Sequence, residues 1–162
     1  MKKIKVTIVA MAAEEYPGCA DILGACPEFE IVVRSGGLCE SGNWSAISGS
    51  DVLVFDEVAL AQEGATGLRD IQHYHPLVKL LLVLENHNEN KIMEALALGF
   101  SGIIERASLR SMLRRSIPAL YSGDTWVSRQ LVQSLRTRLL RLDDDDVPGM
   151  PVHTDATNKI LN

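Results

Sequence analysis

The chain is poor in the features that mark specialised protein classes. Its three cysteines, Cys19, Cys26 and Cys39, are too few and odd in number for a disulfide scaffold. Without a CxxC or Cys/His cluster they offer no zinc site, so they read as reduced thiols packed as small hydrophobes. Aromatic residues are only 5% of the chain, and its 12 glycines and 6 prolines follow no repeat, which excludes collagen-like and low-complexity classes. No apolar run approaches the ~18 residues that a membrane span needs. The basic start Met1-Lys2-Lys3 is like that of a signal peptide, but Lys5 and Thr7 interrupt the apolar part and Glu14-Glu15 follow. The expectation is a cytoplasmic protein with no membrane partner. Basic charge is also in deficit: 16 Lys and Arg against 21 Asp and Glu give a net charge of −5. A chain gripping a nucleic-acid backbone by itself needs a basic surface, so any DNA contact belongs to another module. What is present is a 46% hydrophobic, 162-residue chain, the profile of one globular domain with a tail.

Short blocks rich in Val, Ile and Leu recur at Ile4 to Val9, Phe29 to Val33, Val52 to Phe55, Leu80 to Leu84 and Gly102 to Ile104. Blocks of this length predict strands buried on both faces, and helical stretches between them predict a parallel sheet. Helices are expected over Glu14 to Gly24, Thr66 to Tyr74 (stopped by His75-Pro76), Glu89 to Leu98 (stopped by Gly99) and Leu109 to Tyr121 (stopped by Ser122-Gly123). Between Arg34 and Ser50, Gly36, Gly37, Gly42 and Gly49 allow only a short or irregular helix. Such alternation with right-handed crossovers gives a doubly wound α/β fold with functional residues at the carboxyl ends of the strands. Beyond Trp126, residues 129–142 predict an amphipathic basic linker helix, and the Asp143 to Asp146 run is expected to break it. Residues 143–162 then read as a flexible linker or tail.

The strand ends carry Ala10-Met11-Ala12, Asp56-Glu57, Glu85-Asn86 and Glu105-Arg106. With the blocks Asp51-Val52-Leu53-Val54-Phe55-Asp56 and Ala95 to Arg106, this arrangement resembles a bacterial response-regulator receiver domain over residues 3–128. Gly123-Asp124-Thr125-Trp126-Val127-Ser128 is similar to the segment that closes the receiver in NarL/LuxR-type transcription factors. The resemblance implies a flavodoxin-like five-stranded sheet in the order 2-1-3-4-5, a receiver-like domain at 1–128, and a linker leading to a helix-turn-helix domain that these residues do not contain.

In that family two acidic residues after the first strand bind Mg²⁺, an Asp after the third is phosphorylated, a Ser or Thr after the fourth contacts the phosphoryl group and a Lys after the fifth pairs with it. A carboxylate attacks a phosphoryl donor only where fixed cations neutralise the charge gathering on the oxygens. Matched to the motif, Asp56 takes the phosphoacceptor place, Ala10 and Met11 the acidic pair, Glu85 the hydroxyl position and Arg106 the Lys position. Only Asp56 matches. Ile103 stands where receivers often carry a Tyr or Phe that changes rotamer, Leu60 replaces the Pro four residues after the phosphoacceptor, and Gly64 keeps its place.

Losing the acidic pair removes most Mg²⁺ affinity, because that ion needs oxygen ligands. Glu85 adds negative charge beside any phosphoryl group. Arg106 is a forked cation able to pair with Asp56 or Glu85, which predicts an ion-pair latch in place of the switch. Plainer readings stand beside these. Asp56 as a polar strand terminus competes with a lost phosphoacceptor. Glu14 and Glu15 more simply complement a helix dipole than ligate a cation, and His73, His75 and His87 are scattered. Trp44 reads as core, and Trp126 as packing the last helix of the domain against the linker.

The expected function is an atypical, phosphorylation-independent receiver, not an enzyme and without a cofactor. It would control transcription through an attached or partner DNA-binding module and self-associate as a homodimer. The dimer would use either the face of the fifth strand with helices 89–98 and 109–121, or the stripe Leu131, Leu135, Leu139 and Leu142, for which a core-facing role is an equal alternative. One rival keeps a histidine kinase phosphorylating Asp56. The other is a small-molecule-binding flavodoxin-like domain, against which Ala10 to Glu15 show neither a GxGxxG pattern nor a P-loop Lys.

Overall fold

The computed structural model describes residues 2–10, 17–35, 38 and 47–145. The chain divides into two compact units, Met1–Val127 and Ser128–Asn162. In the first, β1 (Ile4–Ala10), β2 (Phe29–Ser35), β3 (Val52–Asp56), β4 (Lys79–Leu84) and β5 (Gly102–Glu105) form one sheet in the order β2-β1-β3-β4-β5. Every pairing is parallel. The helices are α1 (Pro17–Gly24), α2 (Glu57–Tyr74), α3 (Glu89–Ala97) and α4 (Leu109–Tyr121), with a 3-10 turn at Arg106–Ser108. The doubly wound order expected from the sequence is thus the observed one.

Alternation across each strand explains why the strands read as unbroken apolar runs. Val52 and Val54 with Leu81 and Val83 pack on the side of α1 and α4, sharing a cluster with Leu23, Leu113, Ile117 and Leu120. The intervening Leu53, Phe55, Leu80, Leu82 and Leu84 are equally buried, as they must be where helices cover both faces. Phe55 meets Phe100 edge to face, ring centroids 5.8 Å apart. Gly102 is required by packing, since a Cβ there would lie 2.6 Å from Leu81 Cδ1 and 2.8 Å from Leu120 Cδ1. Trp126 packs against the core cluster, and its backbone pairs beside β5: its amide donates to Ser101 O and its carbonyl accepts from Ile103 N–H.

Two expectations need correction. A helical segment precedes the one expected at Thr66: it starts at Glu57, where the Asp56 side chain caps it and Glu57 complements its dipole. Gly64, at φ 67° and ψ 179°, breaks the helical path between the two segments of α2, a conformation that glycine adopts without steric cost. In the second unit, α5 (Arg129–Asp145) runs three residues past Leu142. Repulsion between neighbouring aspartates is worth only tenths of a kcal/mol per pair, too little to stop a helix whose backbone bonds are already propagating. Of the segment expected to be irregular, residues 36–37 and 39–46, with Cys39 and Trp44, lie outside the described residues, as does the Glu14-Glu15 pair. Among the described residues no helix is long and apolar enough to cross a membrane.

Candidate functional site

The parallel sheet brings Asp56, Glu85, Glu105 and Arg106 to one edge, because all the strands end on the same side. Asp56, the last residue of β3, is only 5% exposed, and its Oδ1 accepts the Ala59 N–H at 2.5 Å as the α2 cap. One carboxylate oxygen of the candidate phosphoacceptor is therefore engaged by its own helix. Arg106, just after β5, donates from Nη1 to Glu85 Oε1 at 2.5 Å, both side chains about half exposed. The guanidinium pairs with the residue in the hydroxyl position, tying the ends of β4 and β5. Ile103 is buried in β5 at 7% exposure. Ala10 closes β1, and Met11 lies outside the described residues.

Residues that sequence reasoning did not assign to the site complete the network. Glu57, next to Asp56, accepts the Glu85 N–H on Oε1 at 3.1 Å and pairs with Lys91 Nζ through Oε2 at 2.7 Å. It joins the start of α2 to the end of β4 and to the first turns of α3. His87 Nδ1 and Glu105 Oε1, 2.8 Å apart, make a second tie between β4 and β5. Asn88 caps α3 by accepting the Lys91 N–H at 3.1 Å, which holds Lys91 where Glu57 meets it. The adjacency of Glu57 to Asp56 was a usable signal. The Glu57–Lys91 partnership spans 34 residues, so no local pattern announces it.

Behind this edge, burial pushes the Cys19 thiol up to about 11, the Arg106 charge opposing and the Asp56 charge adding to the shift. Cys19 and Cys26 are free and buried. A protonated thiol so placed is core, not a nucleophile. Beside the site, a pocket of about 500 Å³ lies between α2 and α3, lined by Val58, Ala61, Ala65, Leu82 and Leu84 and, among polar groups, by Glu57 and Lys91.

No protein-family model and no curated protein matches the chain. Solved structures do. A LuxR-family two-component response regulator from Aurantimonas sp. SI85-9A1 superposes with a TM-score of 0.72 at 16% identity, covering 86% of this chain and 99% of that one. The isolated REC domain of RcsB from Salmonella enterica serovar Typhimurium, in the apo form, gives 0.70 at 18% identity, covering 83% and 99%. The fold is that of a response-regulator receiver domain. RcsB in complex with DNA gives a TM-score of 0.69 at 16% identity and covers 96% of this chain and 84% of its own. At such identities the likeness carries the receiver fold alone, and the chemistry of the strand ends must be read from this chain's own side chains.

Proposed function

We propose that this chain is an atypical receiver that regulates without phosphorylation, acting on transcription through an attached or partner DNA-binding module and through self-association. It is read as a cytoplasmic signalling domain with no catalytic turnover. The observation that carries the reading is the Arg106–Glu85 ion pair at 2.5 Å. It sets a carboxylate and its own counter-cation at the two positions where the family pattern has a hydroxyl and a Lys for the phosphoryl group. The cation is already neutralised within the chain, and a phosphoryl group on Asp56 would meet added negative charge.

Among the described residues, the side chains at the strand ends do not suit a divalent cation. Ala10 has only a methyl side chain, Asp56 commits one oxygen to Ala59, and Glu57 is engaged by Lys91 and the Glu85 amide. Mg²⁺ needs several oxygen ligands and parts with its waters reluctantly. No step in this reading runs through a metal. The strand ends are held instead by the Glu57, Glu85 and Glu105 contacts, a fixed arrangement of β3, β4, β5 and α3.

Incubation with acetyl phosphate and Mg²⁺, followed by intact mass measurement, tests this. The expected outcome is no adduct under conditions that modify a competent receiver. An adduct of one phosphoryl group that is missing from Asp56→Asn, which keeps the helix cap, overturns the reading and restores a histidine kinase substrate.

The α2/α3 pocket favours a second reading, a small-molecule input. Its volume falls in the range of ligand sites, and its wall is apolar with a few polar groups. Native mass spectrometry of the purified chain checks it: a bound small molecule that Ala61→Phe displaces would support this input over a purely protein-based one.

A further inference from the structure

Helix α5 carries an apolar seam at a coiled-coil interval. Val132, Leu135, Leu139 and Leu142 follow one another at steps of three, four and three residues, the a-d-a-d pattern of successive heptads. Val132 is 50% exposed, Leu139 58% and Leu142 60%. One exposed leucine needs no explanation, but three large side chains along one seam of a single helix do. The seam differs from the stripe read off the sequence, which began at Leu131. Starting at Val132 puts a β-branched residue at an a position and Leu at both d positions, a combination favouring two strands.

The flanking charges choose the occupant and its direction. In this register Arg138 is a g position and Asp143 the following e position. In a parallel, in-register pair each g residue faces the next e residue of the other helix, so Arg138 meets Asp143 of the second copy twice by symmetry. An antiparallel pair centred on the same seam would bring Arg136 against Arg136 and Arg138 against Arg138. Those like-charge contacts offset the Arg129–Asp143 attraction that the antiparallel pair would also gain, whereas the parallel pair sets no like charges face to face within α5.

We propose that α5 is the docking surface for α5 of a second copy of this chain, forming a short parallel two-stranded coiled coil with Val132, Leu135, Leu139 and Leu142 at its core. The proposal rests on the self-association part of the reading above and gives it a site and a direction. Anything attached beyond residue 145 in the two copies would leave the coil side by side, at the same end.

Sedimentation and oxidative cross-linking of the full chain test it. A concentration-dependent dimer is expected, weakened at least about tenfold by Leu139→Asp. That side chain is mostly exposed in the single chain, so the variant should keep its native circular dichroism. Arg138→Asp should weaken the dimer, and Arg138→Asp with Asp143→Arg should restore it. Leu142→Cys should form an intermolecular disulfide above the level of the unsubstituted chain, whereas Leu140→Cys, off the seam, should not. A dimer indifferent to Leu139→Asp overturns the α5 interface and leaves self-association standing. A dimer lost with Leu139→Asp but never cross-linked through Cys at 142 overturns the parallel direction. A chain monomeric at its highest soluble concentration overturns both the interface and the self-association it rests on.

Discussion

Asp56 is both the last residue of β3, at the candidate site, and the N-cap of α2. The cap has a measurable weight. Asp56→Ala should lower unfolding stability by about 1 kcal/mol, whereas Asp56→Asn, whose side-chain oxygen still accepts from Ala59, should stay within a few tenths of the parent. Equal losses in urea titration would show that the carboxylate charge, and not its capping oxygen, carries the effect. The Arg106–Glu85 pair is different in kind. Both partners are about half exposed, so solvent screens them and the pair adds little to global stability. Its consequence is positional: it fixes which group the guanidinium serves.

Single elements show how local and tertiary terms compete. In α2 the capping Asp56 starts the first helical segment at Glu57, and Gly64 separates it from the second. β5 is only four residues long, and it owes its close contact with α4 to Gly102. Gly102→Ala should therefore destabilise by about 1–3 kcal/mol through overpacking against Leu81 and Leu120, a loss that thermal unfolding would register as a lowered Tm. A strand glycine replaced without loss would mean that both leucines can shift aside. In α5 exposed apolar side chains at Val132, Leu139 and Leu142 stand at the surface, the feature on which the proposed pairing rests.

At the scale of the whole molecule, sheet and helices together bury Cys19, and that burial links stability to pH. Below about pH 9 the thiol is protonated in the folded and unfolded chain alike and contributes no pH dependence. Between pH 9 and about 11 the unfolded chain loses this proton while the folded one keeps it, so the unfolded state binds fewer protons and stability falls as pH rises. The loss is about 2 kcal/mol across that window, and Cys19→Ala should flatten the curve there. A profile unchanged by that substitution would place the titration elsewhere. The strand-end network belongs to this scale too: the contacts of Glu57, Glu85 and Glu105 join elements far apart in sequence, and they exist only because five parallel strands end on one side.

While the strand order came from the family resemblance, the sequence by itself determined the strands, their parallel character and the residues at their ends. Those follow from runs such as Leu80 to Leu84, where burial on both faces leaves no room for polar alternation, and from stops such as His75-Pro76. It also singled out Asp56, Glu85 and Arg106, since a family pattern marks positions even where the residue types depart from it. Tertiary structure alone decided that Arg106 serves Glu85, that Glu57 reaches Lys91, and that Asp56 turns one oxygen onto its own helix. Charge and spacing allowed Arg106 either carboxylate. The choice depended on which oxygen the fold brings within hydrogen-bonding reach, a matter of a few ångströms that a linear pattern does not encode.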